Sequence, residues 1–335
     1  MASHRIEPKT IVVYVGLDRV GDALLKLPFV RGLRQAFPGA HVTWLAGKDT
    51  SVYASQMAPA VQGLIDEVIE RANIGLDPME LLHRPLAGRR FDLVIDTQRV
   101  ALASLALMRI PARWRLSPFA NFLFSSVKPP KGYRFPKTML RQMLDLLELA
   151  TGQAQPTPQR IEVDIPQEMQ EEARRLLPDG PRYAGLAPGA GGKPKCWPLE
   201  RFAEVGKELA SRGIQPVFLL GPQEPEWQEC LGQAVPEALF PLQAPGVAER
   251  FAYSPLLTIA LGGRLAASLA NDSGVGHMLA LSGSPLVSLF GPTSPAKFAP
   301  VSSRLSIVKA QDFGGREMSF IPTEAALAAL QAALG

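Results

Sequence analysis

The sequence has little cysteine and no long apolar run. Two cysteines among 335 residues, Cys196 and Cys230, are too few for a disulfide framework and lack the spacing of a metal site. No apolar run approaches the ~18 residues of a membrane-spanning helix, and the first ten residues lack the apolar core of a signal peptide. We therefore expect a cytoplasmic protein, with peripheral contact to a membrane surface left open.

The composition is that of a globular protein, with 47% apolar and 20% charged residues. The length suits two domains of about 150 residues each. The net charge is only +4, but the basic residues are concentrated. Between Arg84 and Leu144 there are 12 Lys or Arg residues and two acids, Asp92 and Asp96. The basic residues of this stretch run from position 84 to position 141. They predict a positive electrostatic field that attracts an anionic acceptor or membrane surface, with a solvated basic face as the alternative.

Short apolar runs alternate with helical patterns, which is typical of parallel α/β layers. Strands are predicted over Thr10–Val15, His41–Ala46, Phe91–Thr97, Tyr183–Ala187, Gln215–Leu220, Leu265–Ala270 and Pro285–Phe290. Helices are predicted over Ala23–Phe37, Leu199–Arg212, Glu224–Ala234 and Gly274–Ser282. The polar, proline-containing segment 151–166 is the best linker. We therefore predict two Rossmann-like domains, residues 1–165 and 167–335.

The segment "YVGLDRVGDALLKLP" (residues 14–28) has two glycines, Gly16 and Gly21, at the spacing of a phosphate-binding loop. Such a loop continues with Lys and Ser or Thr, which hold phosphates and Mg²⁺. Here Asp22 and Ala23 follow instead. Asp22 either stabilises the N-terminus of a helix through its charge or has a functional role as a carboxylate.

The segment "APGAGGKPKCWP" (residues 187–198) follows a predicted strand and precedes a helix. Its glycines, including Gly189, allow backbone amides to approach a ligand closely. Lys193 and Lys195 supply positive charge, so the loop is a candidate anion site. A flexible turn with two solvated lysines is the alternative.

The segment "NDSGVGH" (residues 271–277) joins a predicted strand to a helix. Amides near Ser273 and Gly274 are expected at the carboxyl end of a strand, where open α/β sheets bind ligands. Asp272 either caps the helix and orients its neighbours or contacts substrate. His277 is either a structural residue or part of the site. The segment "LFGPTSP" (residues 289–295) is predicted at the same sheet edge.

Together these segments resemble glycosyltransferase family nine, the ADP-heptose:lipopolysaccharide heptosyltransferases. The order and spacing of five motifs agree with that family. They are "GDALLKLP" (21–28), "FPGAHVTWLA" (37–46), "PGAGGKPKCWP" (188–198), "NDSGVGH" (271–277) and "LFGPTSP" (289–295).

The resemblance implies the GT-B fold, with two facing Rossmann-like domains and the active site in their cleft. It implies an acceptor-binding N-terminal domain, a nucleotide-sugar-binding C-terminal domain, and inversion at the anomeric carbon without metal or other cofactor. Asp22 matches the catalytic base, and Lys195 matches a phosphate-contacting lysine. The implied donor is ADP-heptose, and the implied acceptor is an anionic glycan or lipid-linked lipopolysaccharide-core sugar at the cytoplasmic face of the inner membrane.

The sequence departs from the family pattern in two places. Asp18 and Arg19 stand where small hydroxyl residues are usual, so Arg19 either binds an acidic acceptor group or pairs with Asp18 or Asp22. The run 190–192 has no hydroxyl for phosphate. The segment 117–137 mixes aromatic with basic residues, which is typical of an interfacial or acceptor-covering segment, with a partly buried loop as the alternative.

Two other functions remain open from the sequence: a related GT-B enzyme such as a nucleotide-sugar epimerase, or a non-catalytic protein that binds nucleotide-sugars or glycans. No G-x-G-x-x-G motif follows the first strand, which argues against an NAD enzyme. Nucleic-acid binding would rest on the basic stretch alone and lacks a matching motif.

Overall fold

The computed structural model describes residues 6–222 and 224–335. Contacts divide the chain into two compact units, Met1–Pro158 and Gln159–Gly335, a division that lies inside the segment 151–166. Each unit is an α/β layer structure built on a five-stranded parallel sheet. In the described part of the chain, no helix combines the length and apolar character needed to cross a membrane.

The sheet of the first unit has the strand order β3-β2-β1-β4-β5. Its strands are β1 (Thr10–Val15), β2 (His41–Ala46), β3 (Glu67–Ile69), β4 (Phe91–Asp96) and β5 (Ala112–Leu116). Its helices are α1 (Val20–Ala36), α2 (Ala101–Leu107) and α3 (Met139–Thr151). The central strand β1 is buried from Ile11 to Val15, which explains why it is apolar on both faces rather than alternating.

The sheet of the second unit has the order β10-β9-β8-β6-β7. Its strands are β6 (Tyr183–Ala187), β7 (Gln215–Phe218), β8 (Ala267–Asn271), β9 (Leu286–Phe290) and β10 (Leu305–Lys309). Its helices are α4 (Gln167–Leu176), α5 (Leu199–Ser211), α6 (Pro225–Ala234), α7 (Val247–Phe251), α8 (Pro255–Gly262), α9 (Gly274–Leu281), α10 (Pro295–Phe298) and α11 (Thr323–Leu334). A buried cluster that includes Trp197, Phe202 and Phe218 packs between sheet and helices.

Each sheet has one point where the chain reverses its direction of winding. In the first unit β1 lies between β2 and β4, and in the second unit β6 lies between β7 and β8. Ligands of open α/β sheets bind beside the carboxyl ends of the strands at such a point. The candidate positions are therefore the ends of β1 and β4 in one unit, and of β6 and β8 in the other.

The predicted strands β1, β2 and β6 have the bounds expected from the sequence. The first helix, predicted to begin at Ala23, begins at Val20 instead. Arg19 is extended, with φ −78° and ψ 159°, and its carbonyl accepts a hydrogen bond from Ala23 N at 2.8 Å. The Gly21-Asp22 pair therefore lies in the first helical turn, not in a loop before it.

Candidate active site

Asp22 lies just beyond the carboxyl end of β1, in the first turn of α1. Gly21 precedes it in the same turn. Arg19 occupies the N-cap position, and its side chain makes no capping hydrogen bond. A carboxylate in this turn interacts favourably with the helix dipole, so the structural alternative for Asp22 is compatible with its place.

The environment of Asp22 also suits a proton acceptor. Burial raises the pKa of its carboxyl group, while Lys26 lowers it, Asp18 raises it and Arg19 lowers it. Among the described residues of the first unit, none donates a hydrogen bond to this carboxylate or forms an ion pair with it. Asp22 is thus a partly exposed carboxylate to which the described residues of its own unit supply neither a hydrogen bond nor an ion pair.

Asp18 and Lys26 form a buried ion pair next to Asp22. The Lys26 Nζ lies 2.7 Å from Asp18 Oδ1, and both residues are at most 3% exposed. Asp18 therefore pairs with Lys26. The alternative that Arg19 pairs with Asp18 is wrong. Arg19 is exposed to solvent.

The basic stretch 84–141 is partly neutralised within the first unit. Arg89 pairs with Glu67 at 2.6 Å, and Arg141 pairs with Asp145 at 2.7 Å. Arg99 lies over the ring of Phe135 at 4.0 Å. The field around this stretch is therefore weaker than the residue count suggests.

The aromatic residues of the segment 117–137 pack against one another. Phe122 is buried, stacks on Phe135 at 5.5 Å and meets Tyr133 edge-on. Phe119 stacks on Phe124. The burial of Phe122 fits the alternative of a partly buried loop, while Phe119 and Phe124 remain partly exposed.

In the second unit, the loop after β6 is tied to the end of β8 by Asn271. The Asn271 side chain donates to the carbonyl of Pro188 at 2.7 Å and accepts from the amide of Trp197 at 3.2 Å. A β-carbon at position 189 would lie 2.7 Å from Glu224 Oε1, so a larger residue there would displace the end of that side chain. The two predicted loops therefore meet at the winding reversal of the second sheet.

Lys195 and Asp272 form an ion pair at this meeting point. The Lys195 Nζ lies 2.9 Å from Asp272 Oδ2, with the side chains 34% and 6% exposed. Thr293 donates a hydrogen bond to the same oxygen at 2.6 Å. Lys195 is therefore held by an ion pair with Asp272, and part of its ammonium group remains accessible to solvent.

The N-terminus of α9 is capped by Ser273, whose hydroxyl accepts from Gly276 N at 3.3 Å. The interpretation of Asp272 as the cap is wrong, because its carboxylate is engaged by Lys195 and Thr293. Gly274 is the first helical residue. The first amides of a helix have no acceptor within it, so they are available to an anion.

His277 is buried and electrically neutral at physiological pH. Burial lowers its pKa to about 4, against a smaller raising influence of Asp272 and a lowering one of Lys195. Its Nδ1 atom is buried without a hydrogen-bond partner among the described residues. His277 can therefore contribute a hydrogen bond but not a positive charge.

Lys193 is exposed on the short 3₁₀ turn Lys193–Lys195, and no ion pair engages it within the described residues of the second unit. The described residues contain no group of three or more His, Cys, Asp or Glu placed to hold a metal ion. Lys193 and Lys195 supply positive charge at this sheet edge.

Sequence reasoning missed several residues of these two sites. Thr293 belongs to the segment "LFGPTSP", which was predicted to lie at this sheet edge. Its hydrogen bond to Asp272 was not predicted. Asn271 begins the segment "NDSGVGH", but the sequence assigned it no role of its own. Glu224 lies on a segment apart from the loop it contacts, and only the fold brings it there. Lys26 lies in the same segment as Asp18, but the sequence did not show that the two form an ion pair.

The chain is similar in sequence to known proteins. The sequence model of glycosyltransferase family 9 (heptosyltransferase) matches residues 79–317. The lipopolysaccharide core heptosyltransferase OpsX of Haemophilus influenzae is 22% identical, over 94% of this chain and 90% of that protein.

Two solved structures resemble the chain over nearly its whole length. A family 9 glycosyltransferase from Veillonella parvula has a TM-score of 0.73 and 22% identity, covering 98% of both chains. The E. coli ADP-heptose LPS heptosyltransferase II has a TM-score of 0.66 and 21% identity, covering 97% of this chain and 98% of that one. These likenesses show the GT-B fold. Since the family match spans more than half of the sequence, the chain belongs to glycosyltransferase family 9 and is a glycosyltransferase.

Proposed function

We propose that the protein transfers a heptose from ADP-heptose to a sugar of the lipopolysaccharide core, with inversion at the anomeric carbon and without a metal ion. The observation that carries the proposal is the pair of sites at the two winding reversals. One presents a carboxylate that its own unit leaves unpaired. The other presents a partly exposed lysine beside a helix N-terminus. The names of the relatives support this donor and acceptor class.

Asp22 acts as the general base in this proposal. A sugar hydroxyl attacks the anomeric carbon with an oxygen lone pair while its proton passes to the Asp22 carboxylate. The bond from the anomeric carbon to the diphosphate oxygen breaks, and its electron pair leaves with ADP. The raised pKa of Asp22 makes it a stronger base than an exposed aspartate, which suits this step.

The second unit stabilises the departing diphosphate. Lys195 uses one ammonium proton for Asp272 and keeps others for a phosphate oxygen. The amides at Ser273 and Gly274 add the helix dipole. Preorganised donors of this kind contribute roughly 3–4 kcal/mol each, so lysine and amides take the part that a metal ion has in other transferases. Lys193 and neutral His277 complete the donor pocket.

The acceptor contributes negative charge, which Arg19 can bind because it is exposed and not paired with Asp18.

We also propose peripheral contact with the anionic surface of the cytoplasmic face of the inner membrane. Leu76, Met79 and Leu82 are 55%, 58% and 66% exposed, and exposed Arg84 follows them. Apolar side chains beside a positive charge are typical of interfacial binding.

Transfer is tested by incubating the protein with ADP-heptose and heptose-deficient lipopolysaccharide core in the presence of a chelator. We expect ADP and a heptosylated acceptor whose new linkage has the anomeric configuration opposite to that of the donor. Isomerised sugar from donor alone would indicate an epimerase. Nucleotide binding without turnover over a donor and acceptor panel would indicate a binding protein, and either result would overturn the proposal.

Membrane contact is tested by co-sedimentation with phosphatidylcholine vesicles, with and without phosphatidylglycerol. We expect binding only to the anionic vesicles, and less binding for the variant Met79→Ser/Leu82→Ser. Leu123→Ser is the matched control, because Leu123 is also exposed, at 59%, but lies outside the segment 76–84. Equal sedimentation of both variants and the wild type would contradict this contact.

A further inference from the structure

A fully buried ion pair lies one helical turn from Asp22. Asp18 ends the loop after β1, and Lys26 lies on the inner face of α1. Their 2.7 Å contact is excluded from solvent, with side-chain exposures of 0% and 3%. Burying two charges is costly, so this pair requires a reason beyond packing.

The pair is held firmly by its neighbours. The second carboxylate oxygen of Asp18 accepts hydrogen bonds from Trp44 Nε1 at 2.9 Å and from the Ser51 hydroxyl at 2.5 Å. Lys26 also donates to the carbonyl of Leu17 at 3.3 Å. Both oxygens of Asp18 are therefore in use, and its position is fixed by β2 and by the segment that follows it.

The spacing along α1 gives Lys26 a second natural partner. Asp22 and Lys26 are four residues apart, the spacing at which an acid and a following lysine attract each other on a helix. Lys26 instead pairs with Asp18. Without Asp18, the nearest carboxylate on the same helical face would be Asp22.

Few other charges act on Asp22 from the elements of its unit. Arg19 lies at the N-cap of α1 and is exposed. On the neighbouring segment, the Tyr53 hydroxyl donates to the carbonyl of Ala23 at 2.6 Å. Glu70 lies farther away, where it accepts from the amide of Ser51. The Asp18–Lys26 pair is thus the main charged neighbour of Asp22 in the first unit.

We propose that Asp18 and Lys26 are positioning residues for the Asp22 base: Asp18 holds the Lys26 ammonium in a buried ion pair, which leaves the Asp22 carboxylate unpaired. This inference rests on the proposed role of Asp22. It also accounts for the departure of residue 18 from the family pattern, because a hydroxyl residue there could not neutralise Lys26.

The two partners affect Asp22 in opposite directions. Asn at position 18 keeps the shape and an oxygen for Trp44 but loses the charge, so Lys26 turns to Asp22 and lowers its pKa. An opposite charge that close typically lowers a carboxyl pKa by about 1–3 units. Replacing Lys26 by Met has the reverse effect, because the charge that lowers the pKa of Asp22 is gone and Asp18 remains.

The experiment compares Asp18→Asn, Lys26→Met and the double variant by two measurements: the pH profile of kcat and an NMR titration of the Asp22 carboxyl carbon. For Asp18→Asn we expect the acid limb and the titration midpoint about one pH unit lower, and a plateau kcat about tenfold to a hundredfold lower. For Lys26→Met both midpoints move to higher pH. The double variant, which buries no charge, regains a plateau kcat within about threefold of wild type.

Arg34→Met is the matched control. Arg34 pairs with Asp66 at 2.6 Å at the other end of the same helix, so its loss lowers the melting temperature without moving either midpoint. Unchanged midpoints in both Asp18→Asn and Lys26→Met would overturn the inference. Because the NMR titration needs no turnover, it decides the inference even if the wild type fails to transfer heptose, a result that would overturn only the proposed function.

Discussion

The two sheet edges each carry an aspartate–lysine pair, and the pairs differ in exposure. Asp18 and Lys26 in the first unit are enclosed, with side chains 0% and 3% exposed. Asp272 and Lys195 in the second unit are 6% and 34% exposed. A buried pair cannot change partners without leaving a charge in the protein interior, whereas Lys195 can accept a ligand oxygen. This difference in exposure fits our proposal that the first pair positions a neighbouring base and that the second binds an anion.

The largest expected effect comes from removing the base. Asp22→Asn keeps the size of the side chain but cannot accept a proton, so kcat should fall by about 10²- to 10⁴-fold. ADP affinity should stay as in the wild type, because the nucleotide is assigned to the other unit. Steady-state kinetics and calorimetric titration with ADP measure the two quantities.

The pH profile of the wild type sharpens this prediction. Because burial raises the pKa of Asp22 above 3.8, the rate should rise with pH through a midpoint above that value and then level off. Full transfer activity in Asp22→Asn would refute the assignment of the base and leave the family membership intact.

The next effect concerns the exposed pair. Lys195→Ala should raise the Kd for ADP by about 10- to 100-fold, because a hydrogen bond to a charged group contributes about 1.5–3 kcal/mol. Lys195→Arg retains the charge and should recover part of the affinity. Calorimetric titration with ADP measures the change.

A lysine outside the site provides the control for that titration. Lys309 pairs with Asp312 at 3.0 Å on the surface of the same unit, so Lys309→Ala should bind ADP as the wild type does. Equal ADP affinity in Lys195→Ala and Lys309→Ala would show that the exposed pair is not part of the nucleotide site.

The smallest effect on function is expected at His277, whose titration should instead make the free energy of unfolding depend on pH. Its pKa is lowered from 6.5 to about 4 in the folded protein. The unfolded chain therefore binds more protons between these values, and the free energy of unfolding decreases as the pH falls from 6.5 towards 4. The full interval corresponds to about 3 kcal/mol.

Denaturant titrations at several pH values check this sign. His277→Gln should flatten the dependence, since glutamine does not titrate. An equally steep loss of stability in His277→Gln would contradict a role for His277 in it.

Much of this architecture follows from the sequence, because buried parallel strands are continuous apolar runs. Thr10–Val15 and Tyr183–Ala187 show this pattern, and their bounds were predicted correctly. The three-residue strand β3 (Glu67–Ile69) was missed, since it is only half buried and lacks such a run. Helix α2 (Ala101–Leu107) is short and carries no capping residue, so it too lacked a local signal.

The site was predictable where one local motif holds it. Asp22, Lys195 and Ser273 were found because each belongs to a short segment at the end of a strand. The ion pair of Lys195 was not predicted, because it joins positions 77 residues apart, Lys195 and Asp272. Pattern and spacing therefore located the groups that we propose act on substrate, and the fold shows which residues hold them in place.

The most direct test of the account is an experimental structure of the protein with bound ADP. We predict that the diphosphate lies against the N-terminus of α9, within hydrogen-bonding distance of Lys195 Nζ, and that Asp22 makes no contact with the adenine. A diphosphate seated instead against the segment Gly16–Gly21 would contradict the assignment of the donor to the second unit and of the base to the first.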